Sequence, residues 1–187
     1  MSRIGVFGGQ FDPPHNGHVM VVRSARDQLA LDRVLVVPTG YPPHRPTAET
    51  PAETRYRLAQ AAFAGERGVE VSRLELDRGG PSYTVDTLEQ LARPGVDLYL
   101  IMGADQLAAL PSWHRPDRVR DLAHLVVAGR PGAPHAADAE ELVMQPVDVS
   151  SSELRRKVAE GMDVAGLVPA AVAEAIGREG LYAPTPC

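Results

Sequence analysis

Cysteine is almost absent from this chain: its one copy, Cys187, is the last of 187 residues. An intrachain disulfide and a cysteine-built zinc site are therefore excluded. No apolar run approaches the ~18 residues of a membrane-spanning helix. Met1 to Gly9 lacks the charged, then apolar, then small-residue layout of a secretory signal. A soluble, cytoplasmic protein with no membrane partner is the expectation. Positive charge is in deficit too, with 19 Lys and Arg against 24 Asp and Glu and a formal net charge of −5. That balance argues against a nucleic-acid partner but allows small anions to be held by local positive charge. Two familiar nucleotide loops are also missing. No Lys-Ser/Thr pair closes a glycine-rich Walker loop, and no G-x-G-x-x-G is present.

What the chain has is ordinary size and a clear rhythm. With 44% apolar and 23% charged residues, 187 residues suit one domain spanning 1–187 with a sizeable core. Arg3 to Phe7, Val34 to Val37, Asp97 to Met102 and Leu122 to Ala128 hold short apolar runs of the kind expected of buried parallel strands. Val69 to Leu76 reads as extended, and a weaker strand is expected near Leu142 to Gln145. Helices are expected from Asn16 to Ala30, after Thr50, Pro51 and Glu53 as a capping box, from Tyr83 to Ala92, from Ser151 to Glu160, and from Pro169 to Arg178 with Gly180 to stop it. Pro38 to Pro51 and Gly129 to Glu141 read as irregular connections. Alternation of this kind predicts an α/β fold: a Rossmann-like, open, mostly parallel sheet with helices on both faces.

The most informative stretch directly follows the first strand. Residues 8 to 18 read Gly-Gly-Gln-Phe-Asp-Pro-Pro-His-Asn-Gly-His. Gly8 and Gly9 allow backbone N–H groups to approach a bulky anion, Asn16 is placed to cap the next helix, and His15 and His18 can face one point from its start. Phosphate is the natural candidate. The same His-x-x-His spacing occurs in zinc hydrolases, but those need a third ligand and an acid beside the first histidine, where this chain has Pro14 and Asn16.

The His-x-Gly-His box at a strand-to-helix turn resembles that of the nucleotidyltransferase superfamily. Val149-Ser150-Ser151-Ser152-Glu153-Leu154-Arg155 is similar to the Ser-Ser-Thr-x-x-Arg element by which those enzymes hold ATP phosphates, with Ser152 where threonine is usual. Read alone, Ser150 and Glu153 make an ordinary capping box. Further segments resemble one family, the bacterial nicotinate-nucleotide adenylyltransferases: Ser82-Tyr83-Thr84-x-Asp86-Thr87-Leu88, Gly103-Ala104-Asp105-Gln106-Leu107, Leu110-Pro111-x-Trp113-His114, Arg130-Pro131-Gly132 and Pro42-Pro43-His44-Arg45. The resemblance runs from about Arg3 to Tyr182. Gln10 departs from it, standing where the family has Thr or Ser.

That resemblance implies transfer of AMP from ATP to nicotinate mononucleotide, giving nicotinate adenine dinucleotide and pyrophosphate. The nucleophile is a phosphate monoester with a second pKa of ~6, so no general base is required. The work is to align two polyanions and neutralise growing charge. The resemblance assigns His15, His18 and Arg155 to catalysis. It places Gly8, Gly9, Phe11, Gly103, Asp105, Ser150, Ser151 and Ser152 with them around ATP. Gln10, His44, Arg45, Tyr83, Thr84, Trp113, His114 and Arg130 fall to the mononucleotide, with Trp113 stacking on the ring. No acidic cage is found, so Mg²⁺ is expected to be held mainly by the ATP phosphates, without protein ligands. His124 and His135 read as structural or solvent-facing. A homo-oligomer is compatible with all of these features. The rival readings are nicotinamide mononucleotide or phosphopantetheine as acceptor, and a nucleotide-binding protein without catalysis.

Overall fold

Six strands form in a computed structural model that describes residues 1–42, 50–129, 138–145 and 148–184. They are β1 (Ser2–Gly9), β2 (Arg33–Pro38), β3 (Val69–Val71), β4 (Val96–Gly103), β5 (Ala123–Ala128) and β6 (Ala139–Leu142). One sheet holds them in the order β3-β2-β1-β4-β5-β6, and each neighbouring pair is parallel. The helices are α1 (Asn16–Gln28), α2 (Ala52–Phe63), α3 (Leu74–Arg78), α4 (Thr84–Leu91), α5 (Ala104–Ala109), α6 (Pro116–Leu122), α7 (Ser151–Ala159) and α8 (Ala170–Glu179).

Strand periodicity sorts the core into two layers, because successive side chains point to opposite faces. Val34 and Val36 of β2 with Tyr99 and Ile101 of β4 meet Val22, Leu58, Leu154 and Val172 from α1, α2, α7 and α8. Leu35 and Val37 with Leu98, Leu100 and Met102 meet Val85, Leu88, Leu107 and Val119 from α4, α5 and α6. Both faces are thus covered, which is why the strands read as continuous apolar runs. The strand order reverses between β1 and β4, opening a crevice at their carboxyl ends. No helix among the described residues is long and apolar enough to cross a membrane.

Several expectations need correction. The extended segment from Val69 stops at Val71, because the Ser72 hydroxyl accepts the Leu74 N–H at 3.3 Å and turns the chain into α3. The weak strand lies at Ala139–Leu142 rather than Leu142 to Gln145, so Ala139 to Glu141 leave the connection to which they were assigned. Beyond Leu142 the Gln28 side chain takes both the N–H and the carbonyl of Val143, drawing the chain off the sheet. Thr50 does not cap α2. Pro51 precedes the helix, the Thr50 N–H meets Asp12 at 3.4 Å, and Glu53 turns outward to Arg73. Asn16 is the first residue of α1 rather than its cap, and its side chain holds the Gly166 carbonyl at 2.8 Å. Gly180 does stop α8, in the left-handed region at φ 61°. Helices α3, α5 and α6 span only 5, 6 and 7 residues, too short for a periodic signal to emerge.

Candidate active site

Two cavities meet in the crevice at the ends of β1 and β4, sharing Gly8, Gly9, Gln10 and Gln106 as their common wall. The larger, about 900 Å³, is of nucleotide size and is lined by His15, His18, Phe11, Gly103, Asp105, Ser150, Ser151, Ser152 and Arg155. The smaller, about 140 Å³, is lined by Tyr83, Thr84, Trp113 and His114. The residues assigned from sequence to ATP therefore converge on one cavity, and five assigned to the mononucleotide, Gln10 included, converge on the other. His44, Arg45, Arg130 and His135 lie outside the described residues. His124 sits exposed on β5, stacked on Tyr99 at 4.8 Å.

Local geometry fixes the histidine pair. His15 takes the N-cap position of α1, and its backbone N–H donates to His18 Nδ1 at 3.1 Å. With Nδ1 accepting, the neutral His18 ring carries its proton on Nε2, so that nitrogen is the remaining donor. The two rings stack at 3.7 Å and 25°. Gly17 makes room for this arrangement, since a Cβ there would lie 3.0 Å from His15 Nδ1. Phe11 meets His18 edge-on at 5.1 Å, with its backbone in the left-handed region at φ 52°. A Cβ at Gly9 would crowd the Phe11 ring at 3.1 Å, so this glycine serves ring packing as well as open backbone. Burial lowers the His15 pKa to about 4. Burial, and then the charge of His15, hold His18 well below its usual value. Near neutrality both imidazoles are uncharged hydrogen-bonding groups.

The late serine-arginine box is sewn onto this loop. Arg155 Nη1 donates to the Asp12 carbonyl at 2.8 Å, and the Ser151 hydroxyl to the Pro13 carbonyl at 2.9 Å. Ser150 caps α7 by accepting the Glu153 N–H at 3.2 Å, so the cap expected from sequence forms, while the Glu153 carboxylate pairs with Lys157 at 3.5 Å. Arg155 is the one Lys or Arg among the described residues lining this cavity. The Asp12 carboxylate is engaged from behind by the Tyr182 hydroxyl at 2.7 Å. The groups facing the cavity are thus mainly donors suited to phosphate oxygens, and they fit a metal–nucleotide complex whose ion is ligated by those oxygens.

The smaller cavity has an apolar floor from Val6, Val37, Leu100 and Met102, with Trp113 in its wall. Tyr83 and His114 lie ring against ring at 4.4 Å. Arg115, next in the chain, is left-handed at φ 51° and pairs with Glu89, which pins the turn that presents Trp113.

Two polar residues here escaped the sequence reading. Arg55 is only 2% exposed, and its guanidinium donates to the carbonyls of Gln10, Thr39 and Thr50 at 2.8, 2.7 and 3.1 Å. Glu75 is 7% exposed and lines the smaller cavity. Their signal was a charged residue on an otherwise buried face: Arg55 lies three before Leu58 on α2.

A cytidylyltransferase-like family model matches residues 6–157. Among curated proteins, one from Thermus thermophilus named "Probable nicotinate-nucleotide adenylyltransferase" is 45% identical over 186 residues, covering 96% of this chain and 99% of its own. One of the same name from Thermomicrobium roseum is 43% identical, with 97% and 92% covered. Among solved structures, Plasmodium falciparum nicotinic acid mononucleotide adenylyltransferase complexed with NaAD superposes with a TM-score of 0.83 at 17% identity, over 97% of this chain and 98% of that one. At that identity the likeness is one of fold.

Proposed function

The chain belongs to the nicotinate-nucleotide adenylyltransferase family, and from that premise we propose that it transfers the adenylyl group of ATP to nicotinate mononucleotide. An oxygen of the acceptor phosphate attacks the α-phosphorus, the bond to the β-phosphate oxygen breaks, and pyrophosphate leaves. Nicotinate adenine dinucleotide is the product. The observation that carries this reading is the meeting of a nucleotide-sized cavity and a smaller cavity walled by Trp113 at Gly8 to Gln10, where an in-line approach needs both substrates.

His18 Nε2–H and the His15 imidazole are directed to the ATP phosphates, where neutral donors stabilise charge growing in the transition state. Ser151, Ser152 and the Arg155 guanidinium hold the β- and γ-phosphates at the start of α7. Gly103 and Asp105 meet the adenosine ribose. Trp113 stacks on the pyridine ring, while backbone N–H groups of Tyr83 and Thr84 at the start of α4 receive its carboxylate. Gln10 reaches the acceptor phosphate from the shared wall with His114 on the same side, and the family resemblance also gives His44, Arg45 and Arg130, outside the described residues, to this substrate. Mg²⁺, carried on the phosphate oxygens that Ser151, Ser152 and Arg155 hold, would offset the charge of the leaving pyrophosphate.

Pyrophosphate release from ATP and Mg²⁺, with the product identified, tests the proposal when nicotinate mononucleotide, nicotinamide mononucleotide and phosphopantetheine are offered in parallel. A kcat/KM preference for nicotinate mononucleotide is expected. Turnover with phosphopantetheine alone would discard the acceptor pocket, and no turnover with any acceptor would leave a binding protein.

A further inference from the structure

Glu75 is the one acid among the described residues that line the acceptor cavity, and no Lys or Arg lines it with Glu75. The surroundings of its carboxyl are lopsided. Oε1 accepts the Thr87 hydroxyl at 2.9 Å. That hydroxyl itself accepts from Arg78 Nη1 and Nη2 at 3.3 Å, so its one hydrogen is committed to Glu75. Oε2 is buried without a close hydrogen-bond partner among the described residues, although the Ser82 hydroxyl and the Gly40 backbone N–H also act on the carboxyl. Burying an anionic carboxyl is costly even beside these donors, whereas the protonated form carries no charge to desolvate. Around it stand Arg78 on α3, Arg55 on α2, Thr87 on α4, Ser82 before α4 and Gly40 after β2, with Tyr83 and His114 in the same cavity wall. Burial outweighs the donors and Arg78, and pushes the Glu75 pKa up.

We propose, on the adenylyl-transfer reading above, that Glu75 determines acceptor specificity by charge: its neutral carboxyl admits a ring bearing a carboxylate, and its ionised form turns the cavity towards an uncharged carboxamide. Two negative charges sharing a small cavity with an apolar floor repel, while a carboxamide feels little of that repulsion. Direct contact is not needed, because the field acts through the cavity wall.

The test is kcat/KM for nicotinate and nicotinamide mononucleotides across pH, expressed as their ratio. Titration of the shared phosphate, of the His15 and His18 pair, and of ATP cancels in that ratio. In the wild type the preference for nicotinate should fall by about tenfold or more as pH rises through the Glu75 transition. Glu75→Gln, which cannot ionise, should hold the low-pH ratio throughout. Thr87→Val removes the hydroxyl donor to the carboxylate, so its fall should come at higher pH; this variant decides the matter if Glu75→Gln does not fold. A wild-type ratio independent of pH, or an equal fall in Glu75→Gln, overturns the proposal. Absence of turnover with either mononucleotide would refute adenylyl transfer instead. The same ratio, read as Kd by calorimetry, then still decides the role of Glu75.

Discussion

Acid should destabilise this protein before its carboxylates titrate, because the His15–His18 stack is built from uncharged rings. The unfolded chain binds a proton at His15 with the ordinary imidazole pKa of 6.5, and the folded chain only near about 4. A folded pKa below the unfolded one contributes stability that is fully present above 6.5 and is lost as pH falls through the window down to about 4. Linkage over that window gives a loss of ~2 kcal/mol by pH 5 and ~3 kcal/mol by pH 4 for His15 alone. With His15 only 8% exposed, solvent screening takes little from this. His18 shifts in the same direction and adds to it. Glu75 works the other way, since its raised pKa makes it cost less as pH falls, but it is present in wild type and variant alike. Urea unfolding of wild type and His15→Asn, at fixed ionic strength between pH 7.5 and 5, isolates the effect. The wild type should lose ~2 kcal/mol more than the variant. Equal losses would mean that His15 is not held neutral in the fold, and the picture of two uncharged donors would fail with it.

Replacing His18 with Ala should lower kcat by ~10²-fold or more, because one preorganised donor is removed. A kcat near the wild-type value in a correctly folded variant would refute its place at the reacting phosphate. Trp113→Ala should weaken the mononucleotide by ~1–3 kcal/mol and leave the KM for ATP alone. An unchanged mononucleotide KM with a lowered Tm would return Trp113 to the core layer that it partly joins. Arg55→Met should cost ~3–5 kcal/mol in urea unfolding, since it strands the buried carbonyls of Gln10, Thr39 and Thr50. A loss below ~1 kcal/mol would show that water takes over those carbonyls.

Legibility followed the range of the interaction. The strands of both core layers were readable because β1, β2, β4 and β5 are covered on both faces, and burial leaves an apolar run in the sequence itself. Where a single side chain redirects the backbone, the run misled: Ser72 ends β3 early, and Gln28, 115 residues away, draws Val143 off the sheet. The lining of the larger cavity was readable because most of its polar residues cluster in two short boxes. Arg55 and Glu75 were not: a charge on an otherwise buried face, as at Arg55, says that a partner exists but not which, and each acquires its meaning from carbonyls or hydroxyls brought up by other elements. Asn16 shows the same limit at one residue's scale. Its type suits a cap, but the Gly166 carbonyl claims its side chain, and the histidine before it takes the cap position.

The loop that carries the histidines cannot hold its own shape. Phe11 is left-handed, and its neighbours leave carbonyls pointing away from any strand or helix partner. Those carbonyls are taken by side chains from far along the chain: Gln10 by Arg55, Asp12 by Arg155 across 143 residues, Pro13 by Ser151 across 138. Tyr182, 170 residues on, closes the set through the Asp12 carboxylate. Arg155 and Ser151 are also the groups assigned to the nucleotide phosphates. The side chains that would bind ATP are therefore the same ones that keep the histidine loop in place. On the proposed reading, order in this loop and occupancy of the phosphate site would be linked: the single Ser151 hydroxyl hydrogen serves either the Pro13 carbonyl or a phosphate oxygen, whereas the five N–H donors of the Arg155 fork can keep the Asp12 carbonyl while meeting phosphate. Lysine at 155 would offer its three donors from one nitrogen, so it could meet both acceptors only where they lie within reach of a single point; on the proposed reading, the spread of the fork is what arginine adds here to its charge.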